Sequence, residues 1–141
     1  MSCHSADFRV FAVAAFALVT DPDSYLDLIG KPFAYGGRGP DAFDCYGLVR
    51  EMFRRRGVEV PNYNSPTEGA RIIAAMLSGA NDWQETQCSP GVVLLMRIPG
   101  SMHVGFTVDQ FRFIHAWEKS GVCVERIQDW RNRIVACYRF A

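Results

Sequence analysis

Apolar positions follow two rhythms along this chain, a helical one in the first half and an alternating one in the second, with Gly and Pro where the rhythm changes. Phe8, Phe11, Ala12, Ala15 and Val19 fall at helical spacing, and Asp21-Pro22-Asp23-Ser24 interrupts them. Residues 25–29 read as a short helix ended by Gly30. Beyond a loop dense in Gly and Pro, Leu48, Val49, Met52 and Phe53 form one face of a helix that Asp44 caps and Gly57 stops. Arg54, Arg55 and Arg56 fall in its last turn, where cations complement the negative helix end, and they read as a solvated face. Ser65-Pro66-Thr67-Glu68 is a capping box with Pro at the first helical position, which predicts a further helix from Ser65 to about Ser78.

The second half changes period. Residues 92–96 are a continuous apolar run after Pro90-Gly91, as in a strand buried on both faces. From His103 the pattern alternates, with Val104, Phe106 and Val108 on one side, and residues 111–116 supply a partner strand across a turn at Asp109. Two more strands are predicted over 122–126 and 134–140, with Asp129-Trp130-Arg131 as a turn or short helix between them. Helices followed by an antiparallel meander make an α+β arrangement. The sequence contains no internal repeat and no low-complexity tract.

Length and charge narrow the class. A chain of 141 residues is one domain's worth, able to bury about two thirds of its unfolded surface without a metal or disulfide staple. We divide it into an N-terminal apolar extension, residues 1–24, and a domain over residues 25–141. The apolar run at 10–19 is shorter than the roughly 20 residues that span a bilayer, so no membrane span is expected. It reads as a helix, with a secretory segment ending at Ala15-Phe16-Ala17 as the alternative. Fifteen basic residues balance fifteen acidic ones, and no basic stripe with interleaved aromatics is present, which argues against nucleic acid as a partner. Cys3, Cys45, Cys88, Cys123 and Cys137 are an odd set without C-x-x-C spacing, fitting neither a disulfide framework nor a zinc knuckle; buried thiols are expected.

Cys45 differs from the other four by its place at a predicted helix start. The unpaired amides there carry partial positive charge and favour thiolate over thiol. Of the three histidines, His4, His103 and His115, two lie on the strands of the predicted hairpin. A three-residue turn centred on Asp109 would set His103 directly across from His115, with Cβ atoms about 5 Å apart. A thiol, a base within reach of it and a group that orients the base are the parts of nucleophilic cysteine catalysis. In that arrangement Cys45 is the nucleophile, His103 the base and His115 the orienting residue, and pairing with the thiolate would raise the His103 pKa. The same three side chains could hold zinc with an open position, and a histidine beside apolar residues is often only a satisfied core residue.

At these residues the chain resembles the NlpC/P60 cysteine peptidases, papain-like enzymes that cut the short peptides of bacterial cell walls. The likeness rests on P-F-A-Y-G-G-R-G-P-D-A-F-D-C-Y-G-L-V around Cys45, H-V-G-F-T-V at His103 and F-I-H-A at His115. The resemblance implies a papain-like NlpC/P60 fold with helices packed on an antiparallel sheet. It implies Cys45, His103 and His115 as the catalytic set and no cofactor or metal. It implies peptidoglycan stem peptides as substrate, cut between D-Glu and the diamino acid, with Asp44 helping to bind a free substrate amine.

Two positions depart from the family pattern. Phe33 stands where the family has a tyrosine whose hydroxyl lies near the oxyanion site, and Tyr46 replaces a small residue after the nucleophile, reshaping the pocket for the amine. Losing one oxyanion donor can cost roughly 100- to 1000-fold in rate. Tyr35 occupies a position where the family often has Trp. The G-R-G-P-D…D-C-Y-G-L-V-R variant is similar to the branch in tailed-phage and prophage tail-tip proteins. That likeness implies tail proteins as further partners and a location in the virion, or in the host cytoplasm before assembly. A secreted or periplasmic enzyme is the alternative. A second functional class is a tail-assembly or wall-binding module whose peptidase site is weak or idle.

Overall fold

The computed structural model describes residues 24–63, 78 and 82–140. The apolar N-terminal segment and the helix expected from Ser65 lie outside the described residues. A 3-10 turn, Leu26–Leu28, leads through Gly30 at a positive φ of 92° into the Gly- and Pro-rich loop. Helix α1 (Cys45–Arg55) follows, capped as the sequence suggests: the Asp44 carboxylate accepts the Gly47 amide at 2.6 Å. Beyond it Gly57 takes the left-handed conformation, φ 80°, that glycine adopts without a Cβ penalty. In the last turn Arg54 and Arg55 both pair with Glu51, and Arg55 also reaches Asp27, so these cations are engaged along a solvated face.

Six strands form one antiparallel sheet: β1 (Trp83–Thr86), β2 (Val93–Ile98), β3 (Ser101–Thr107), β4 (Arg112–Trp117), β5 (Gly121–Arg126) and β6 (Ile134–Phe140). Their order is β1-β6-β2-β3-β4-β5, so β2 to β5 meander and β6 returns between β1 and β2. Before β6 the chain makes a 3-10 segment, Ile127–Arg133. Val93, Leu94, Leu95 and Met96 are fully buried, as expected of a strand covered on both faces.

Each face has its own core. On one, Leu48, Val49, Met52 and Phe53 of α1 pack against Val93, Leu95, Val104, Phe106, Ile114 and Ala116. The Phe53 ring meets Phe106 edge-on at 5.1 Å between centroids. On the other, Trp130 of the 3-10 segment closes a smaller cluster with Val92, Leu94, Met96, Phe113 and Cys137.

Three sequence expectations are corrected. Strand β1 was not foreseen, because Gln84 and Glu85 face solvent on an edge strand and carry no apolar alternation. Cys88 and Cys137 are joined in a disulfide rather than existing as separate thiols. The β3–β4 register is displaced by two residues: Phe106 pairs with Ile114 and Thr107 with Phe113. The turn is centred on Gln110 because the Asp109 carboxylate accepts the amides of Phe111 and Arg112, both at 2.8 Å, and Val108 closes on Arg112.

Candidate active site

The loop before α1 is folded around Asp44. Ala34 donates to Phe43, Phe43 to Pro32 and Asp44 to the Gly37 carbonyl, so the loop doubles back on itself immediately ahead of the helix. Asp44 is buried, and its carboxylate accepts Gly47 and Gly36 amides and Arg38 Nη1 at 2.6, 3.2 and 2.7 Å. Arg38 is held in turn by Asn62 Oδ1 at 2.8 Å and the Tyr63 carbonyl. These bonds fix the entry of α1 and with it the position of Cys45, which is half-buried in the first turn against the larger core. Gly47 has to be glycine. A Cβ there would sit 2.0 Å from the Gly37 carbonyl oxygen, far inside any contact distance.

The displaced register keeps parity, so His103 and His115 still share a face, now as diagonal neighbours. The β3–β4 ladder ends at Phe106 and Ile114, short of both histidines, and ring contact takes its place: His103 Nε2 lies 2.7 Å from His115 Nδ1. Gly105 leaves the space, since a Cβ on it would press on the Phe113 ring at 2.9 Å and on His115 Cβ at 3.3 Å. Beyond His115 the chain of bonds continues to Glu125 on β5, whose Oε2 is 2.9 Å from His115 Nε2. Trp117 and Trp130 stack around the two imidazoles.

This chain orders the protons. A carboxylate only accepts, so Glu125 places a hydrogen on His115 Nε2. The neutral His115 then offers a lone pair at Nδ1, which accepts Nε2–H of His103. His103 is left with an unprotonated Nδ1, the atom at which it can act as a base. Burial depresses the His103 pKa to about 3, with the nearby His115 adding to the effect. This reverses the expected rise: desolvation of the imidazolium outweighs any partner charge. Burial lowers His115 too, against the opposing hydrogen bond and charge of Glu125. Both rings are therefore neutral at physiological pH.

The structure brings His103 and His115 together and adds Glu125, which the sequence pattern did not single out. A carboxylate in line with His115 becomes visible only once β5 is paired with β4. The described hydrogen bonds and ring contacts of the two histidines run to each other, Glu125, Phe113, Trp117 and Trp130. Cys45 packs against the cluster on the α1 side of the sheet.

The remaining expected site residues fall in different settings. Phe33 stacks edge-on with Tyr35 at 5.0 Å. Tyr35 is 80% exposed, and a hydrogen bond to Glu118 in the β4–β5 turn raises its phenol pKa. Tyr46 is wholly buried, its hydroxyl donating to the Pro61 carbonyl at 2.7 Å and its ring against Tyr63. The ring thus supports the α1 end from inside. A cleft of about 370 Å³ lined by Lys31, Arg38, Pro40, Phe43, Glu51 and Arg55 contains none of Cys45, His103 and His115.

Residues 30–139 match the profile of the NlpC/P60 family. Among curated relatives, a probable endopeptidase p60 of Listeria innocua is 29% identical over 112 residues, which is 79% of this chain and 21% of the relative. That of Listeria grayi is 30% identical over 100 residues, 70% of this chain and 18% of the relative. The chain thus spans about a fifth of the length of these relatives. Its fold is shared with an NLP/P60 family lipoprotein-like protein of Staphylococcus aureus, at a TM-score of 0.59, 19% identity and coverage of 99% of this chain and 44% of that one. The peptidoglycan hydrolase RipB of Mycobacterium tuberculosis gives a TM-score of 0.57 at 18% identity, covering 94% and 68%. The NlpC/p60 domain of the peptidoglycan hydrolase SagA gives 0.57 at 22%, covering 89% and 97%.

Proposed function

From the premise that this chain belongs to the NlpC/P60 family, we propose that it is a cysteine peptidase acting on peptidoglycan stem peptides, at the bond between D-Glu and the diamino acid. The observation that carries this reading is the chain from the buried His103 and His115 to Glu125, which leaves His103 Nδ1 as a base on the sheet against which the Cys45 helix packs. The substrate class is supported by SagA and RipB, which share the fold and are peptidoglycan hydrolases. In the reaction, His103 Nδ1 takes the Cys45 proton as sulfur attacks the scissile carbonyl, then returns it to the leaving amine. His115 and Glu125 hold the base in its tautomer. Asp44, with oxygens already engaged by two amides and Arg38, offers its remaining lone pair on Oδ2 to the substrate amine.

A second reading rests on Phe33, which has no hydroxyl to offer the oxyanion. In it the chain is a phage tail-assembly or wall-binding module with a weak peptidase site. The Cys88–Cys137 disulfide favours work outside a reducing cytosol, at the cell envelope or in a virion.

Incubation with purified muropeptides, followed by mass spectrometry, separates the two. The peptidase reading expects cleavage that Cys45→Ala abolishes and that Phe33→Tyr accelerates by roughly 10-fold or more, part of the full worth of an oxyanion donor. Cleavage surviving Cys45→Ala would remove the nucleophile assignment. No cleavage by either the parent or Phe33→Tyr, with wall binding retained, would leave the binding module.

A further inference from the structure

The exposed end of the histidine chain carries a feature that the peptidase chemistry does not use. Antiparallel pairing sets Cys123 of β5 directly across from His115 of β4, and alternation puts Glu125 on the same face. A ring nitrogen of His115, Cys123 Sγ and a carboxylate oxygen of Glu125 lie within 4.8 Å of one another. The carboxylate oxygen is 2.9 Å from the imidazole nitrogen and 3.8 Å from the sulfur. His115 is fully buried, whereas Cys123 and Glu125 are partly exposed, so the three donor atoms converge on a point open to solvent from one side.

We propose that His115, Cys123 and Glu125 form a site for a zinc-class divalent cation, with its fourth position open to water. The donor set is one imidazole nitrogen, one sulfur and one carboxylate oxygen. That mixture suits zinc, whose bonds to such atoms are about 2.0–2.3 Å, and excludes magnesium and calcium, which take oxygen. Tetrahedral donors at those lengths stand about 3.3–3.8 Å apart. The observed separations bracket that range, and rotation of the partly exposed Cys123 and Glu125 side chains closes the difference. One thiolate and one carboxylate neutralise the ion's charge. The ring that must not rotate is already fixed, because His115 Nδ1 is held by His103 in the manner of an outer partner that orients a ligating imidazole.

Occupancy would move protons. The metal replaces the hydrogen on His115 Nε2 and displaces that on Cys123 Sγ, both to solvent. The hydrogen shared by the two rings passes from His103 Nε2 to His115 Nδ1, and His103 Nδ1 takes one from solvent. The net release is one proton, from the thiol. His103 then presents N–H, not a lone pair, where the base is needed, so the bound ion would inhibit hydrolysis. This consequence rests on the reading of His103 as base; the site itself does not.

The test uses the full chain carrying Cys45→Ala, so that a thiolate signal from the nucleophile is absent, with the Cys88–Cys137 disulfide intact. Titration with cobalt(II) is expected to give one equivalent of binding with a thiolate-to-metal charge-transfer band, displaced by zinc. Adding Cys123→Ser should abolish the band, and adding Glu125→Gln should weaken binding by roughly 10- to 100-fold. Circular dichroism confirms folding, and Glu125→Gln, altered at a partly exposed position, serves if Cys123→Ser does not fold. No charge-transfer band in the Cys45→Ala chain, or a band unchanged by both further substitutions, would overturn the site. Zinc inhibition of muropeptide cleavage is a separate arm. A cobalt site without zinc inhibition would overturn the coupling to His103, and a chain that cleaves nothing bears on the peptidase reading alone.

Discussion

A neutral imidazole in the interior has a cost that appears when the solution is acidified. The folded-state pKa of His103 is about 3, against an ordinary 6.5. Between those values the unfolded chain binds a proton at this position and the folded chain does not. Stability from this group is therefore fully present above about pH 6.5 and is lost as pH falls toward 3. At pH 4.5 the loss is about 3 kcal/mol, taking about 1.4 kcal/mol for each of the two pH units below 6.5. Urea unfolding of the parent and of His103→Gln in metal-free buffer, at pH 7 and pH 4.5, isolates this share from that of the carboxylates. The parent should lose more stability between the two pH values than the variant does, and equal losses would mean that the ring is not desolvated. The two histidines of the chain were legible in the sequence, because an even separation across a turn with an odd number of residues puts both on one face; Glu125 was not. The pairing of the two histidines was not legible. The Asp109 carboxylate recentres the turn on Gln110, a local hydrogen-bonding choice to which the alternation of apolar residues is blind.

At the scale of elements, α1 shows how closely loop and helix are fitted. Its cap, apolar face and stop were readable from Asp44, the Leu48 to Phe53 spacing and Gly57, because each depends on residues near in sequence. The contact that locates it is between Gly47 and the Gly37 carbonyl, ten positions apart, and only the folded loop reveals it. Gly47→Ala improves intrinsic helix propensity by nearly 1 kcal/mol, so propensity alone predicts stabilisation. The 2.0 Å clash with backbone predicts the opposite and should win, since neither the first turn nor the loop held by Arg38 and Asp44 can move cheaply. The expected result is a net destabilisation of about 1–3 kcal/mol, as for overpacking of a filled interior, with Cys45 displaced and, on the peptidase reading, hydrolysis reduced. Urea denaturation of Gly47→Ala checks this; unchanged or raised stability would show that the loop yields.

For the molecule as a whole, the least legible bond is the one that joins distant parts. Cys88 and Cys137 are separated by 49 positions, and nothing in an odd cysteine count pairs them. The fold supplies the reason. Cys137 pairs with Thr86 at the end of β1, and Cys88 follows two residues later, so the bridge closes the end of the edge strand onto β6. An edge strand of four residues, held by one neighbour, has the least to anchor it. Closing a loop of this length restricts the unfolded chain, which is worth on the order of 2–4 kcal/mol. Cys88→Ser should lower stability by that amount, and dithiothreitol should lower the parent to the same value while leaving the variant unchanged. Hydrogen exchange would localise the effect: protection should fall first at β1 and the neighbouring part of β6, ahead of β3 and β4. A uniform loss across the sheet would instead mean that the bridge stabilises the chain only globally, through the unfolded state.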